Sequence, residues 1–409
     1  MHRFLNAVCN QLRQSLAAGL PLALVAVPAA LGSGTRVGFQ DTFATARGNA
    51  FVATADNPSA IYYNPAGLVR TEGTEVLANL YTVSVASDYA GAAGRTSLDD
   101  AYQAVPAFYA AWHPRGARWA GGFGVYAPFG LSTEWSSDAS SPLRTLAEKS
   151  EQTYLTYNLS GAWQLSPSLS LGAGVTYNRV TTDLRRALGF LSADDYFRFE
   201  GRGDAVGFNL GVLWQPRPEH SFGLSYSHRT SVKFEGTATT HPLIAAETAD
   251  ATFEFPEVII AGWSYRPTPA WNLEVDLDWS NWDRFNTVTI HKVSGALPLV
   301  FDWESGFFYE FGATRYLDEH WNVSTGYCYT ANSVPDAAYT PAVPDSNRSF
   351  YSLGVGYKSA RVSVDLAWHY GDGGHRRVTG GPASLIGATA DGTYDNSINA
   401  ISLSAAYRF

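Results

Sequence analysis

From Trp271 to Ser280 the chain changes character at every residue. Trp271, Leu273, Val275, Leu277 and Trp279 are apolar, whereas Asn272, Glu274, Asp276, Asp278 and Ser280 are polar or acidic. A period of two puts one set on each face of a β-strand; on a helix both sets would scatter. The same alternation runs through Leu155, Tyr157, Leu159, Gly161, Trp163 and Leu165, and through Leu169, Leu171, Ala173, Val175 and Tyr177. Similar strands follow Trp321, Tyr351 and Val362. Such a chain must pair its strands and satisfy two chemically opposite faces.

Short turns rich in Pro or charge fall at 113–116, 166–168, 216–219, 266–269, 318–320 and 358–360. Their centres recur about every 51 residues, shortening to about 40 at the last step. Longer polar connections are expected near 86–103, 136–150, 182–202, 230–250, 283–302, 331–348 and 371–396. Alternating short and long connections of this number join about 14 strands, with both chain ends on the short-turn side, as in bacterial outer-membrane barrels. Trp112, Trp119, Trp163, Trp214, Tyr265, Trp271, Tyr316, Trp321 and Tyr357 bracket the short turns. Their amphipathic rings suit a headgroup-level girdle on the periplasmic side. A soluble barrel or β-sandwich is the competing reading. The strand count, the girdle and the last strand weigh against it: Ile401, Leu403, Ala405, Tyr407 and Phe409 are apolar at every second position and end on the terminal Phe. That ending resembles the signal read by the outer-membrane barrel assembly machinery, so this machinery is an expected partner through Phe409.

Composition narrows function. The 409 residues are 14% aromatic and only 16% charged, and the formal charge is −9. Only four of the 28 basic residues are Lys. No basic footprint for nucleic acid is present. Arg3 and Arg13 precede an uncharged stretch, 16–31, that ends in small residues. Residues 1–32 therefore read as a secretory signal, cut after Ala29 or Gly32. Cys9 would leave with it, and Cys328 would remain alone, so neither a disulfide nor a zinc site is expected. No nucleophile elbow, phosphate-binding loop or HExxH motif occurs. Ser363, Asp365 and His369 share one strand parity, yet Asp365 and His369 would stand about 13 Å apart at about 3.3 Å per residue. No catalytic residue, metal ligand or cofactor is expected.

Residues 38–73 do not alternate. They contain Phe39-Gln40, Arg47-Gly48-Asn49 and the run Asp56-Asn57-Pro58 through Tyr62-Tyr63-Asn64-Pro65-Ala66-Gly67-Leu68. Asp56 or Asn57 can cap a short helix that Pro58 opens and Pro65 with Gly67 closes. A compact, partly helical plug at 33–74 would obstruct the wide pore of a barrel at 75–409. This segment resembles the hatch of the FadL-type outer-membrane transporters of long-chain fatty acids, a family that includes TodX-type importers of aromatic hydrocarbons. Similar words recur at 129–135, at Phe255-Pro256-Glu257, at Trp279-Ser280-Asn281-Trp282 and at 344–348, so the likeness covers nearly the whole mature chain.

The resemblance implies a plugged 14-stranded barrel. In it, ligand is captured near the outer loops and released sideways into outer-membrane lipid, through a wall gap beside strand three. Here that strand carries Gly121, Gly122 and Gly124, then Ala127-Pro128-Phe129-Gly130. Pro128 lacks a ladder donor and glycines weaken a strand, so the strand is defective by its own composition; a rim bulge without traffic is the alternative. Asn64, Pro65, Ala66 and Gly67 are the expected hatch gate, with the Asn64 amide placed to bond backbone groups freed around Pro128. Phe39 matches the family's N-terminal Phe near ligand. Phe190, Leu191, Leu297, Leu299, Val300 and Phe301 lie in long loops and could line the capture groove or simply pack the loops. Arg179 falls where the family places a basic residue near the pocket, although its parity puts it on the lipid face with Tyr177.

The expected function is passive outer-membrane uptake of a hydrophobic molecule, a fatty acid or else an aromatic hydrocarbon, by a monomer with both termini periplasmic. The alternatives are an ion-conducting porin, with Glu274, Asp276 and Asp278 lining a cation path, and an adhesive barrel.

Overall fold

A computed structural model describes residues 34–99, 102–192 and 194–409. The expected signal segment lies outside them. In chain order the strands are β1 (Gly73–Gly91), β2 (Gly94–Ser97), β3 (Tyr102–His113), β4 (Trp119–Glu134), β5 (Lys149–Ser166), β6 (Leu169–Ala187), β7 (Tyr196–Arg217), β8 (His220–Ser227), β9 (Thr230–His241) and β10 (Ile244–Phe255). There follow β11 (Val258–Thr268), β12 (Trp271–Ser280), β13 (Thr287–Lys292), β14 (Gly295–Val300), β15 (Gly306–Tyr316), β16 (Trp321–Thr330), β17 (Arg348–Lys358), β18 (Val362–Val378) and β19 (Gly392–Arg408). All pairings are antiparallel, and β19 returns to β1 in the register Tyr407↔Val76, which closes the ring. Five staves are interrupted, each as a successive pair: β2 with β3, β8 with β9, β10 with β11, β12 with β13, and β14 with β15. The described segments thus form a closed antiparallel barrel of 14 staves. The N–H of Phe409 donates to the Thr74 carbonyl at 2.9 Å, so the last residue belongs to the closing seam.

The burial pattern is inverted relative to a soluble protein. On β12 the Trp and Leu positions face outward and the acidic row is buried. Leu159 and Val175 on neighbouring staves are 68% and 61% exposed. A continuous apolar outer band of this kind needs lipid to cover it.

Nearer the long-loop end the polarity reverses. On β7 and β9 the side chains of Phe197, Phe199, Val232 and Phe234 turn inward and are buried, while Arg198, Glu200, Lys233 and Glu235 face out. Much of the connection expected at 182–202 and most of that at 230–250 are therefore strand: β6 runs on to Ala187, β7 starts at Tyr196, and β9 pairs with β10 as a hairpin. The sequence looks loop-like there because its polar face is now the outer one, above the apolar band.

Residues 34–72 fill the ring. Helix α1 (Thr42–Ala46) lies against β16 to β19, and the 3-10 turn Pro65–Arg70, which follows α2 (Ala60–Tyr63), lies against β3 to β7. Asp41 caps α1 through the N–H of Ala44 at 2.9 Å.

Candidate functional site

The acidic inner row of β12 is the dock for this hatch. Glu274 accepts from the N–H groups of Ala53 (2.7 Å) and Thr54 (3.1 Å), from the Thr54 hydroxyl, and from the Arg47 guanidinium at 2.9 Å. Asp276 accepts from the N–H groups of Phe51 and Val52 at 2.8 and 2.9 Å. Asp278 pairs with Arg36 at 2.5 Å, and Glu310 on β15 accepts from the Asn49 amide at 2.7 Å. All of these groups are buried. Burying charges is tolerable only where partners replace water, and here the hatch supplies them. The row expected as a possible cation path is covered by protein.

The Asn64-Pro65 corner docks elsewhere than expected. The Asn64 side-chain amide donates to the carbonyls of Val52 (2.9 Å) and Val212 on β7 (3.0 Å), and its oxygen accepts the Ala66 N–H at 3.2 Å. Ala66 and Gly67 continue the 3-10 turn that Pro65 opens. The wall is glycine where this corner touches it: a Cβ on Gly211 would come within 2.2 Å of the Asn64 oxygen, and one on Gly172 within 2.3 Å of the Ala66 nitrogen. Asn64 makes no bond near Pro128, because other hatch residues already hold that strand.

Around Pro128 the β3–β4 pairing is interrupted. The β3–β4 ladder runs only from Trp112↔Gly121 to Phe108↔Val125. Above it, 102–107 pair with β1 alone, and β4 pairs with β5 alone across a register shift between Tyr126 and Phe129. The hatch N-terminus occupies the vacant ladder. Val37 N–H donates to the Pro128 carbonyl and Gly130 N–H to the Thr35 carbonyl, each at 2.8 Å. The Gln40 amide bonds both the carbonyl (2.8 Å) and the N–H (3.2 Å) of Ala127. Phe129 points inward against Tyr154 and Phe255, with ring centroids 5.2 and 5.3 Å away. A bond from the Gln103 amide to the Ser132 carbonyl, at 2.9 Å, spans the strands again higher up.

Above the hatch lies an apolar pocket of about 420 Å³, lined among others by Leu131, Phe197, Phe253, Trp282, Phe285 and Trp303. Leu297, Leu299, Val300 and Phe301 line it, and Phe301 packs on Phe285 at 4.5 Å. The other candidates do not. Phe39 is buried away from the pocket wall, in the same apolar core, against His369, Phe350 and Tyr81, at 4.2, 5.4 and 5.9 Å. Phe190 and Leu191 are exposed in the loop after β6, where Asp195 holds their N–H groups at 3.0 and 2.7 Å. Arg179 faces outward, in register between Leu155 and Asp204, on the side its strand parity gives and away from the pocket.

The basic groups at the pocket are Arg185 and Arg186. Arg185 pairs with Glu148 at 3.0 Å and lies over the Tyr196 ring at 4.3 Å. Arg186 has no hydrogen bond or ion pair among the described residues, and it lines apolar surface. Even-numbered residues of β6 face the lumen from Ser170 through Leu184, and continuing that parity to Arg186 would have found it. Of the residues tested for a triad, His369 Nδ1 lies 2.9 Å from the Ser352 hydroxyl, and Asp365 turns to Ser404 at 3.5 Å.

The 14-stave barrel fold has counterparts among known proteins. Residues 25–409 match the model of the outer membrane protein transport protein family (OMPP1/FadL/TodX). The chain belongs to this family. It is therefore an outer-membrane β-barrel of a family of hydrophobic-compound transporters. The long-chain fatty acid transport protein of Escherichia coli O6:H1 (strain CFT073) is 23% identical over 304 residues, covering 64% of this chain and 68% of that protein. A Pseudomonas aeruginosa FadL homologue superposes with a TM-score of 0.83 at 18% identity, over 92% of this chain and 100% of that one. The Pseudomonas putida toluene transporter TodX gives 0.72 at 16% identity, over 94% and 100%. At these identities the two structures share the fold with this FadL/TodX-family chain.

Proposed function

We propose that this protein is a passive uptake channel for long-chain fatty acids. Ligand is taken from the outside into the 420 Å³ pocket and released sideways, past Pro128, into outer-membrane lipid. The observation that carries the ligand class is Arg186: a guanidinium without a hydrogen-bond or ion-pair partner among the described residues, set in a largely apolar pocket, complements one carboxylate at the end of a hydrocarbon chain. A charge-assisted hydrogen bond of this kind contributes about 1.5–3 kcal/mol. The fatty acid transport proteins among the relatives support the same class.

The direction of release rests on the vacant β3–β4 ladder and on Pro128, which has no N–H to offer β3. The hatch strand at Thr35 to Val37 is the element that must move. The driving force is partitioning down a gradient, since no nucleotide-binding motif is present. Both termini are assigned to the periplasmic side, where the short turns and their aromatic girdle lie.

The second reading, an aromatic hydrocarbon importer, is favoured by the ring-lined pocket wall of Trp282, Phe285, Phe301 and Trp303. Mass spectrometry of lipid extracted from the purified protein tests the proposal. A bound C14–C18 carboxylic acid supports it, and a neutral arene alone in the pocket supports the second reading.

A further inference from the structure

The wall is interrupted a second time, four staves away. β7 pairs with β9 from Tyr196↔His241 to Arg202↔Glu235 and with β8 from Asn209↔Ser227 onward. Between these stretches, 203–208 have no ladder partner on that side, and the single backbone bond at the lower edge runs from the His228 N–H to the Phe208 carbonyl at 2.8 Å. The next stave breaks at the same level, where Pro256 separates β10 from β11 and offers no N–H.

The two interruptions lie on one row of the barrel. Val125, the last β4 residue paired with β3, is opposite Tyr157; Tyr157 is opposite Tyr177; and Tyr177 is opposite Val206, within the unpaired run. Val206 is 70% exposed on the outer face, beside Phe208 in the apolar band. A cavity of about 60 Å³ behind β5 and β6 touches both places: Pro128 and Phe129 at one end, Phe208, His228 and Thr230 at the other. The hatch strand at Thr35 to Val37 bonds the wall backbone at the first end, while below the second end the hatch makes a side-chain contact, the Asn209 amide donating to the Ile61 carbonyl at 2.9 Å, and Tyr62 lines the cavity. The second is closed by side chains and that one backbone bond, with Tyr154 and Thr230 joined hydroxyl to hydroxyl at 2.8 Å.

From this geometry we propose that the wall has a second lateral opening, between β7 and β9, through which an apolar chain passes from the same lumenal cavity to membrane lipid. The proposal rests on the sideways release argued above. Separating β7 from β9 here breaks few backbone bonds, because the ladder is already absent, whereas opening any fully paired seam would strip a row of N–H and C=O groups in a medium without water. The side-chain gate can therefore open without the hatch strand leaving β4.

Uptake of palmitate into liposomes with an internal trap tests this, using wild type, Gly130→Glu to obstruct the first opening, Gly207→Leu to obstruct the second, and the double variant. A Cβ on Gly207 would already lie 2.9 Å from Thr176 Oγ1 and 3.2 Å from Thr230 Cγ2, so a leucine fills the inner mouth. Heat-modifiable gel mobility reports folding; if Gly207→Leu fails to fold, Thr230→Leu, at the same mouth, replaces it. Expected is residual uptake in Gly130→Glu that falls at least fivefold in the double variant. Unchanged rates on adding the second-site change in both backgrounds, or uptake at the empty-liposome level in Gly130→Glu alone, would overturn the second opening. Wild-type uptake no faster than empty liposomes would instead overturn the proposed function itself.

Discussion

The backbone N–H of Val37 donates to the carbonyl of Pro128 at 2.8 Å, so the hatch supplies the strand that β3 withholds from β4. Plug and wall are one hydrogen-bonded unit at the place where ligand is proposed to leave. Val37→Pro removes that donor while keeping an apolar side chain, at a cost of about 1 kcal/mol for the bond. Small polar solutes should leak faster through this variant in liposome swelling, with the barrel still heat-modifiable. Leakage equal to wild type would mean that the contact does not hold the hatch.

Arg47 and Glu274 test the hatch dock from the other side. Removing one member of a buried ion pair costs about 3–5 kcal/mol. Arg47→Met should therefore leave Glu274 uncompensated and release the hatch around Phe51 to Thr54. Faster hydrogen exchange confined to 47–54, with barrel strands unchanged, is the expected readout.

How much of this was legible beforehand follows from where the chemistry is local. A period of two revealed the staves, and the even parity of β6 points to Arg186. The same parity put Arg179 outside, away from the pocket. The polar runs at 182–202 and 230–250 looked like loops because the outer face turns polar above the lipid band, although Phe197 and Phe234 keep the alternation facing inward. The partner of Asn64 could not be read at all: Val212 lies 148 residues away in the chain. Phe39 shows the same limit, since its neighbours Phe350 and His369 come from the far end of the sequence.

Arg186 should separate ligand classes. Arg186→Gln is expected to weaken palmitate binding about tenfold, which corresponds to about 1.4 kcal/mol, and to leave toluene binding unchanged. Tryptophan fluorescence of the pocket, through Trp282 and Trp303, can follow both titrations. Equal loss for both ligands would show that Arg186 shapes the pocket without recognising a carboxylate.

The loop after β6 should be acid-resistant. Burial raises the Asp195 carboxyl, but the N–H groups of Gly189, Leu191, Phe190 and Ser192 outweigh it and hold the group down at about 2. A folded value below the ordinary 3.8 stabilises the loop above about pH 4, and that stabilisation is lost as the pH falls toward about 2. Proteolysis within 188–195 should stay slow from pH 7 down to 4 in the native protein. In Asp195→Ala it should be fast throughout; similar rates in the two would remove the carboxylate from its role.

Sideways release of a fatty acid past Pro128 is tested most directly by the initial rate of palmitate uptake into liposomes with an internal trap and no energy source, compared between wild type and Gly130→Glu. Expected is wild-type uptake well above that of empty liposomes and a severalfold lower rate in folded, correctly inserted Gly130→Glu. Equal rates in the two proteins would contradict release through the β3–β4 gap.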